Sequence, residues 1–394
     1  MNGSPHRLGG AARAASATLA AAVLAFSPTV AAAQSFGGAP ARGVTATQVD
    51  AEQPTVATPP TSEASAPPST PSSRCMPIGF SSGWELAFDS PANIDRWMNS
   101  VAEVGGTHVR FVVDWSYVEP AKGTYDWSKP DRLVASARAH GLTPILTIAY
   151  TPPWARAADG DPSSVATHPA RASDYADFAR NTAARYRQAS LFELWNEPNH
   201  TNFWKPTPNA TQFAELVRAA YPAIKSARPD STVIVGGLAA PPDDGRYISA
   251  PTFVEGLYAN GLHGNVDAIS FHPYNYPGRL DRPNSWDTMG MADRIHRSMT
   301  AHGDGDRKIW FTEYGVPTGT NPRSTSETEQ GGALAGAVDV TASRDYLAGF
   351  LAYTLKNYGT NTYETEQNFG ILRNDFSRKS GWPAVEAAYR AHRC

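Results

Sequence analysis

The 394 residues are 41% hydrophobic and 10% aromatic, so the chain can bury a large core, and length alone allows one large domain or two to three smaller ones. A formal net charge of -3, with no block of Lys or Arg, leaves no electrostatic footprint for a nucleic-acid partner. Ten Trp and sixteen Tyr serve either core packing or a surface that stacks on flat or ring-shaped ligands.

Residues 1–33 read as an export signal. Arg7 and Arg13 precede an apolar run from Ala15 to Phe26, and Val30 to Ala33 offers small residues for cleavage before Gln34. The run is too short and too Ala-rich for a membrane span, and no Cys follows the cleavage point to take a lipid. Residues 34–74 are rich in Ala, Pro, Ser and Thr with almost no large apolar side chain, which makes them a disordered or extended tether. The mature protein is expected outside the cytoplasm, without a membrane span, as a monomer folded over residues 75–394.

The only two cysteines stand at the ends of that region, Cys75 and Cys394. In an oxidising compartment they read as a clasp between the entry to the first strand and the exit of the last helix, the alternative being two free thiols.

From Cys75 onward strand and helix patterns alternate. Met76 to Phe80 is a short apolar strand, and Pro91 to Val104 an amphipathic helix with Ser90 as cap and Pro91 at its first position. Strand Thr107 to Val113 leads to helix Pro130 to His140, and strand Leu142 to Ala149 leads to helix Ala170 to Arg187. Phe192, Leu194 and Trp195 mark a buried fourth strand, ended by Pro198, which lacks a ladder donor. Helix Thr207 to Ala227 precedes a strand from Thr232 to Val235 that ends in Gly236 and Gly237. Helix Thr252 to Ala259, strand Val266 to Phe271 and helix Trp286 to Ala301 follow, and then the strand that opens at Lys308. The last unit reads as helix Ser326 to Val340, strand Tyr346 to Tyr353 and helix Trp382 to Arg393. Eight such pairs predict an α/β fold closed as a (β/α)8 barrel, and no Gly-rich phosphate loop follows the first strand to favour a dinucleotide-binding sheet.

Two strands end in a glutamate. Phe192 to Asn199 places Asn196 and Glu197 at the carboxyl end of strand four, and Lys308 to Gly315 places Glu313 at the end of strand seven. In a barrel both ends open on the face that carries chemistry. Two carboxyls that close cannot both ionise comfortably, so one must hold a proton. Arg110 and Tyr274, at the ends of strands two and six, are donors able to keep Glu313 anionic. Asn196 is placed to bond a hydroxyl beside a reacting carbon. The pair thus suits retaining glycoside hydrolysis, with Glu313 as nucleophile and Glu197 as proton donor and then base. Glu193, on the same parity as Glu197 but deeper, reads as a structural ion pair.

The segments Trp195 to Asn199, Phe311 to Gly315, His272 to Tyr274, and Arg110 followed by Trp115 and by Val118 to Pro120 resemble clan A glycoside hydrolases. The likeness is greatest to family 39 and its neighbours in family 5, including exopolysaccharide-cleaving members, and runs from about Met76 to Tyr389. It implies the same two roles for Glu197 and Glu313, and a cleavage subsite lined by Arg110, Asn196, His272 and Tyr274. Trp115 and Trp154 follow strands two and three and are candidates for stacking on sugar rings, the alternative being rim packing, and Trp204 on a longer loop is a further candidate. Where relatives commonly carry a Trp at the end of strand eight, this chain places Ala352, with Tyr353 or Tyr363 as replacements. No metal or cofactor is called for, and the expected partner is a polysaccharide or oligosaccharide. The competing reading, from another class, is a carbohydrate-binding barrel without turnover, and its mark would be a missing catalytic carboxylate.

Overall fold

Residues 74–394 are described by a computed structural model. The export signal, and the tether apart from Arg74, lie outside the described residues.

The strands are β1 (Ile78–Ser81), β2 (His108–Asp114), β3 (Thr143–Ala149), β4 (Leu191–Leu194), β5 (Thr232–Ala239), β6 (Ala268–His272), β7 (Lys308–Tyr314) and β8 (Leu347–Tyr353). All neighbours are parallel and the order is sequential, with β1 closing on β8 through pairs from Ile78–Phe350 to Ser81–Tyr353. This is the (β/α)8 barrel expected from the alternation.

The helices are α1 (Pro91–Val104), α2 (Trp115–Val118), α3 (Ser128–Ala139), α4 (Ala172–Arg185), α5 (Ala210–Ala227), α6 (Ala250–Ala259), α7 (Thr288–Ala301), α8 (Glu327–Ala342) and α9 (Trp382–His392). Their starts follow the sequence signals. Ser90 caps α1 by accepting from the Asn93 N–H, and Ser326 and Glu329 form a reciprocal capping box on α8. The one-turn α2 has no counterpart in the sequence reading. Asp114 creates it, its side chain accepting from the Tyr117 N–H.

Inside the barrel, Ile145, Leu191, Ile234, Trp310 and Leu351 form an apolar plug. Two residues further along their strands, Thr147, Glu193 and Thr312 replace that plug with polar groups, joined by Arg110 and Ser270. Strand β5 does not end at its glycines. It runs on to Ala239 across a register shift between Gly236 and Leu238, with Gly237 at φ +66°. A Cβ on Gly237 would lie 3.2 Å from His272 Nε2 and 3.5 Å from Arg110 Nη2, so glycine satisfies both the left-handed backbone and the close approach.

Cys75 and Cys394 are joined by a disulfide. Its neighbours are already in place: the Met76 N–H donates to His392 O at 2.8 Å, and the Tyr389 hydroxyl to Gly79 O at 2.7 Å. On the chain-entropy account a loop of 319 residues gains roughly 5 to 6 kcal/mol at most. Among the described residues no helix is long and apolar enough to cross a membrane.

Candidate active site

At the carboxyl end of β4 the backbone turns sharply. Trp195 (φ 72°) and Glu197 (φ 47°) are both left-handed, a conformation that costs a side chain of this size about 1 to 2 kcal/mol. Bonds on either side hold the turn. The Glu197 N–H donates to Gly237 O, and the Asn199 side chain bonds Ala239 N, Ala239 O and Ile248 O. The turn breaks the strand alternation, so Glu197 faces the barrel mouth near Glu313 while Glu193 stays within the barrel.

Glu193 is fully buried and accepts four hydrogen bonds: from Arg110 Nε (2.6 Å) and Thr147 Oγ1 (2.7 Å) on one oxygen, and from Ser270 Oγ (2.7 Å) and Thr312 Oγ1 (2.8 Å) on the other. That is the structural ion pair read from the sequence. The same guanidinium reaches outward. Its Nη1 donates to Ser81 Oγ and to Glu313 Oε1, and its Nη2 to Asn196 Oδ1 at 2.9 Å. With its oxygen on Arg110, the Asn196 amide turns its NH2 group away from the guanidinium.

The two candidate carboxyls differ in surroundings. Glu313 has Arg110 on one oxygen and the Tyr274 hydroxyl at 3.0 Å on the other. Burial pushes its pKa up, while Arg110 and the Tyr274 hydrogen bond pull it back. Glu197 is pushed well above the usual carboxylate range, first by burial and then by the charge of Glu313, with Arg110 opposing. Its side-chain contact is His272, whose Nδ1 lies 3.1 Å from Glu197 Oε1 and 3.8 Å from Glu313 Oε2. Burial holds His272 neutral, well below its ordinary value, and holds the Tyr274 phenol protonated. The net push is upward at both carboxyls, and only Glu313 has a cation and a hydroxyl that favour its anion.

Arg110, Asn196, Glu197, His272, Tyr274 and Glu313 are therefore brought together. Two of the tryptophans are not. Trp115 is fully buried, stacked on Phe178 with centroids 5.6 Å apart, and its indole N–H is taken by Glu119. Trp204 is 1% exposed, packed edge-on to Trp195 and parallel to His168. Neither has a face to offer a sugar, and both are corrected to core residues. Trp154 keeps a partly exposed ring, with its N–H on Glu119 O. At the end of β8, Ala352 is buried and Tyr353 is the aromatic, packed on Tyr274 and Phe369; Tyr363 is exposed.

Sequence reasoning missed Trp84, Phe88 and Tyr117, exposed aromatics that follow β1 and β2 on the same face and contact one another edge to face. The signal was the one applied to Trp154, an aromatic just past a strand end. It also missed Tyr150, left-handed at the end of β3 (φ 71°).

A family model described as Cellulase (glycosyl hydrolase family 5) matches residues 72–359. The chain belongs to glycosyl hydrolase family 5. Among solved structures, this family 5 chain is similar to a family 39 glycoside hydrolase from the gut symbiont Bacteroides cellulosilyticus WH2, at 24% identity and TM-score 0.65 over 81% of this chain and 64% of that one. It is similar to a monomeric beta-xylosidase from Caulobacter crescentus CB15, at 21% identity and TM-score 0.60 over 79% and 67%. A third is an exo-beta-1,4-mannosidase from Opitutaceae bacterium strain TAV5, at 18% identity and TM-score 0.57 over 80% and 59%. The chain thus spans about two thirds or less of each of these proteins, and the likeness is one of fold. No curated protein sequence matches it. The motif resemblance to families 39 and 5 of clan A is met by both the family match and the solved structures.

Proposed function

We propose that the protein is an exported retaining glycosidase acting on O-glycosidic bonds of a polysaccharide or oligosaccharide. Glu313 attacks the anomeric carbon while Glu197 protonates the departing glycosidic oxygen. The glycosyl ester on Glu313 is then hydrolysed by a water whose proton returns to Glu197. Asn196 donates from its amide NH2 to the hydroxyl beside the reacting carbon, and Trp154 stacks at the rim.

The observation that carries this reading is the contact of both carboxyls with the same ring nitrogen, at 3.1 and 3.8 Å, with Arg110 and Tyr274 bonded to one of them alone. Two carboxyls that both reach one ring nitrogen suit the narrow spacing of retaining enzymes, roughly 5 to 5.5 Å, better than the wider inverting pairs. Export is supported by the sequence of residues 1–33 and by the disulfide, which an oxidising compartment maintains. We place the catalytic domain at residues 75–394, acting as a monomer.

Glu313→Ala is the direct test. Hydrolysis of an aryl glycoside should fall by about 10⁴-fold or more, as for loss of other enzymic nucleophiles. Unchanged turnover removes Glu313 as the nucleophile.

A further inference from the structure

Beneath the acid/base carboxyl lies a directed chain of hydrogen bonds. Ser270 Oγ receives the Gly237 N–H at 2.5 Å, so its own proton goes to Glu193 Oε1. Arg110 is an obligate donor to the other oxygen. Glu193 is therefore an acceptor on both sides, and the Thr312 hydroxyl, 2.8 Å from Oε1, must give it its single proton. The lone pairs of Thr312 Oγ1 are left facing His272 Nε2 at 3.1 Å, and a hydroxyl that has given away its proton can only accept. The ring nitrogen there must carry the hydrogen. In a neutral imidazole one proton-bearing nitrogen leaves the other bare, so Nδ1 presents a lone pair to Glu197 Oε1. Two lone pairs 3.1 Å apart repel, and the contact is a hydrogen bond only when Glu197 carries the proton.

We infer that Thr312, anchored on the buried Glu193–Arg110 pair, is a positioning residue that fixes the His272 tautomer and thereby keeps the catalytic proton on Glu197. The inference rests on the role of Glu197 as acid/base given above. Burial of the ring and of the carboxyl favours the same two states, a neutral imidazole and a protonated acid. The other groups that face Glu197 are Glu313 from β7, Arg110 from β2, Tyr150 from the end of β3, Tyr247 after β5, Tyr274 after β6 and Glu366 after β8. Of these only Glu313 also reaches a ring nitrogen, 3.8 Å from Nδ1, a longer contact than the 3.1 Å at which Thr312 Oγ1 calls for a proton on Nε2. During the first chemical step the proton passes from Glu197 to the glycosidic oxygen and the repulsion returns. That makes the carboxylate a stronger base for the water of the second step.

Thr312→Val removes the acceptor while keeping the shape. The ring is then free to place its proton on Nδ1, where it stabilises ionised Glu197. The basic limb of the kcat/KM profile against pH should move down by about one unit, and Thr312→Ser should restore it. An unmoved limb, or a Ser variant as shifted as the Val variant, overturns the proposal. Nitrogen-15 NMR of the His272 ring in the unmutated protein reads the tautomer with no substrate present. A protonated Nε2 supports the chain, whereas a protonated Nδ1 or an imidazolium at neutral pH overturns it. If the tautomer is as stated and no glycoside is turned over, it is the glycosidase reading that fails.

Discussion

Glu193 and Glu197 are four residues apart on one segment, and the barrel uses them for opposite purposes. Glu193 accepts four hydrogen bonds and sees no solvent. Glu197, under the tautomer inferred above, has a ring nitrogen that offers it no proton, and a second carboxyl nearby. A buried carboxyl with all its acceptor sites filled becomes scaffold. One denied donors beside a like charge is poised to hold a proton and release it. The separation between them is made by the left-handed turn at Trp195 and Glu197.

The comparison breaks first at Glu193. Glu193→Ala strands the Arg110 guanidinium in the barrel and empties three hydroxyl partners. We expect a loss of about 3 to 5 kcal/mol in unfolding free energy, the range for breaking one side of a buried pair. Because Arg110 also holds Glu313 and Asn196, activity should fall with it. Urea denaturation checks the first, and a variant as stable as the parent would show that the polar layer is not what holds the lumen.

Thr147→Val sharpens the same point with a smaller change. It deletes one donor to Glu193 Oε2 and keeps the β-branched shape that suits β3. The cost should be about 1 to 3 kcal/mol, that of an underserved buried acceptor. A neutral outcome in denaturant melts would mean that Arg110 alone satisfies that oxygen.

The fold was legible because eight strand-to-helix alternations leave a parallel sheet few ways to bury both faces. The candidate carboxyl pair was legible because apolar runs that stop at a glutamate put it at a strand end. What lay beyond reach was the direction of side chains in short turns. Trp115 and Trp154 occupy equivalent places after strand ends, yet Asp114 winds the chain into α2 and turns Trp115 into the core against Phe178. Gly236 and Gly237 look like a strand end, and only the bulge across them, with His272 close by, shows why β5 continues. Thr147, Ser270 and Thr312 passed as ordinary strand formers, since a hydroxyl on a buried strand reveals its partner only when Glu193 is placed among them.

An effect that is absent at pH 4 and grows above it tests the other half of the comparison. Glu197→Gln removes an ionisable group whose pKa in the folded protein is raised by burial and by Glu313. For such a group the stabilising state is the protonated one. Its contribution is complete below the unfolded carboxyl value, near pH 4, and is lost as the pH climbs through the folded value. Gln stays neutral and can donate to His272 Nδ1 at any pH. The variant should therefore match the parent in thermal stability at pH 4 and exceed it increasingly as the pH rises above the unfolded carboxyl value, the gain approaching about 1.4 kcal/mol for each unit by which the folded pKa is raised. Calorimetric melts from pH 4 upward decide it. A gap that stays constant with pH would mean that Glu197 ionises in the folded protein as readily as in the unfolded chain, and the contrast with Glu193 would then be one of depth alone.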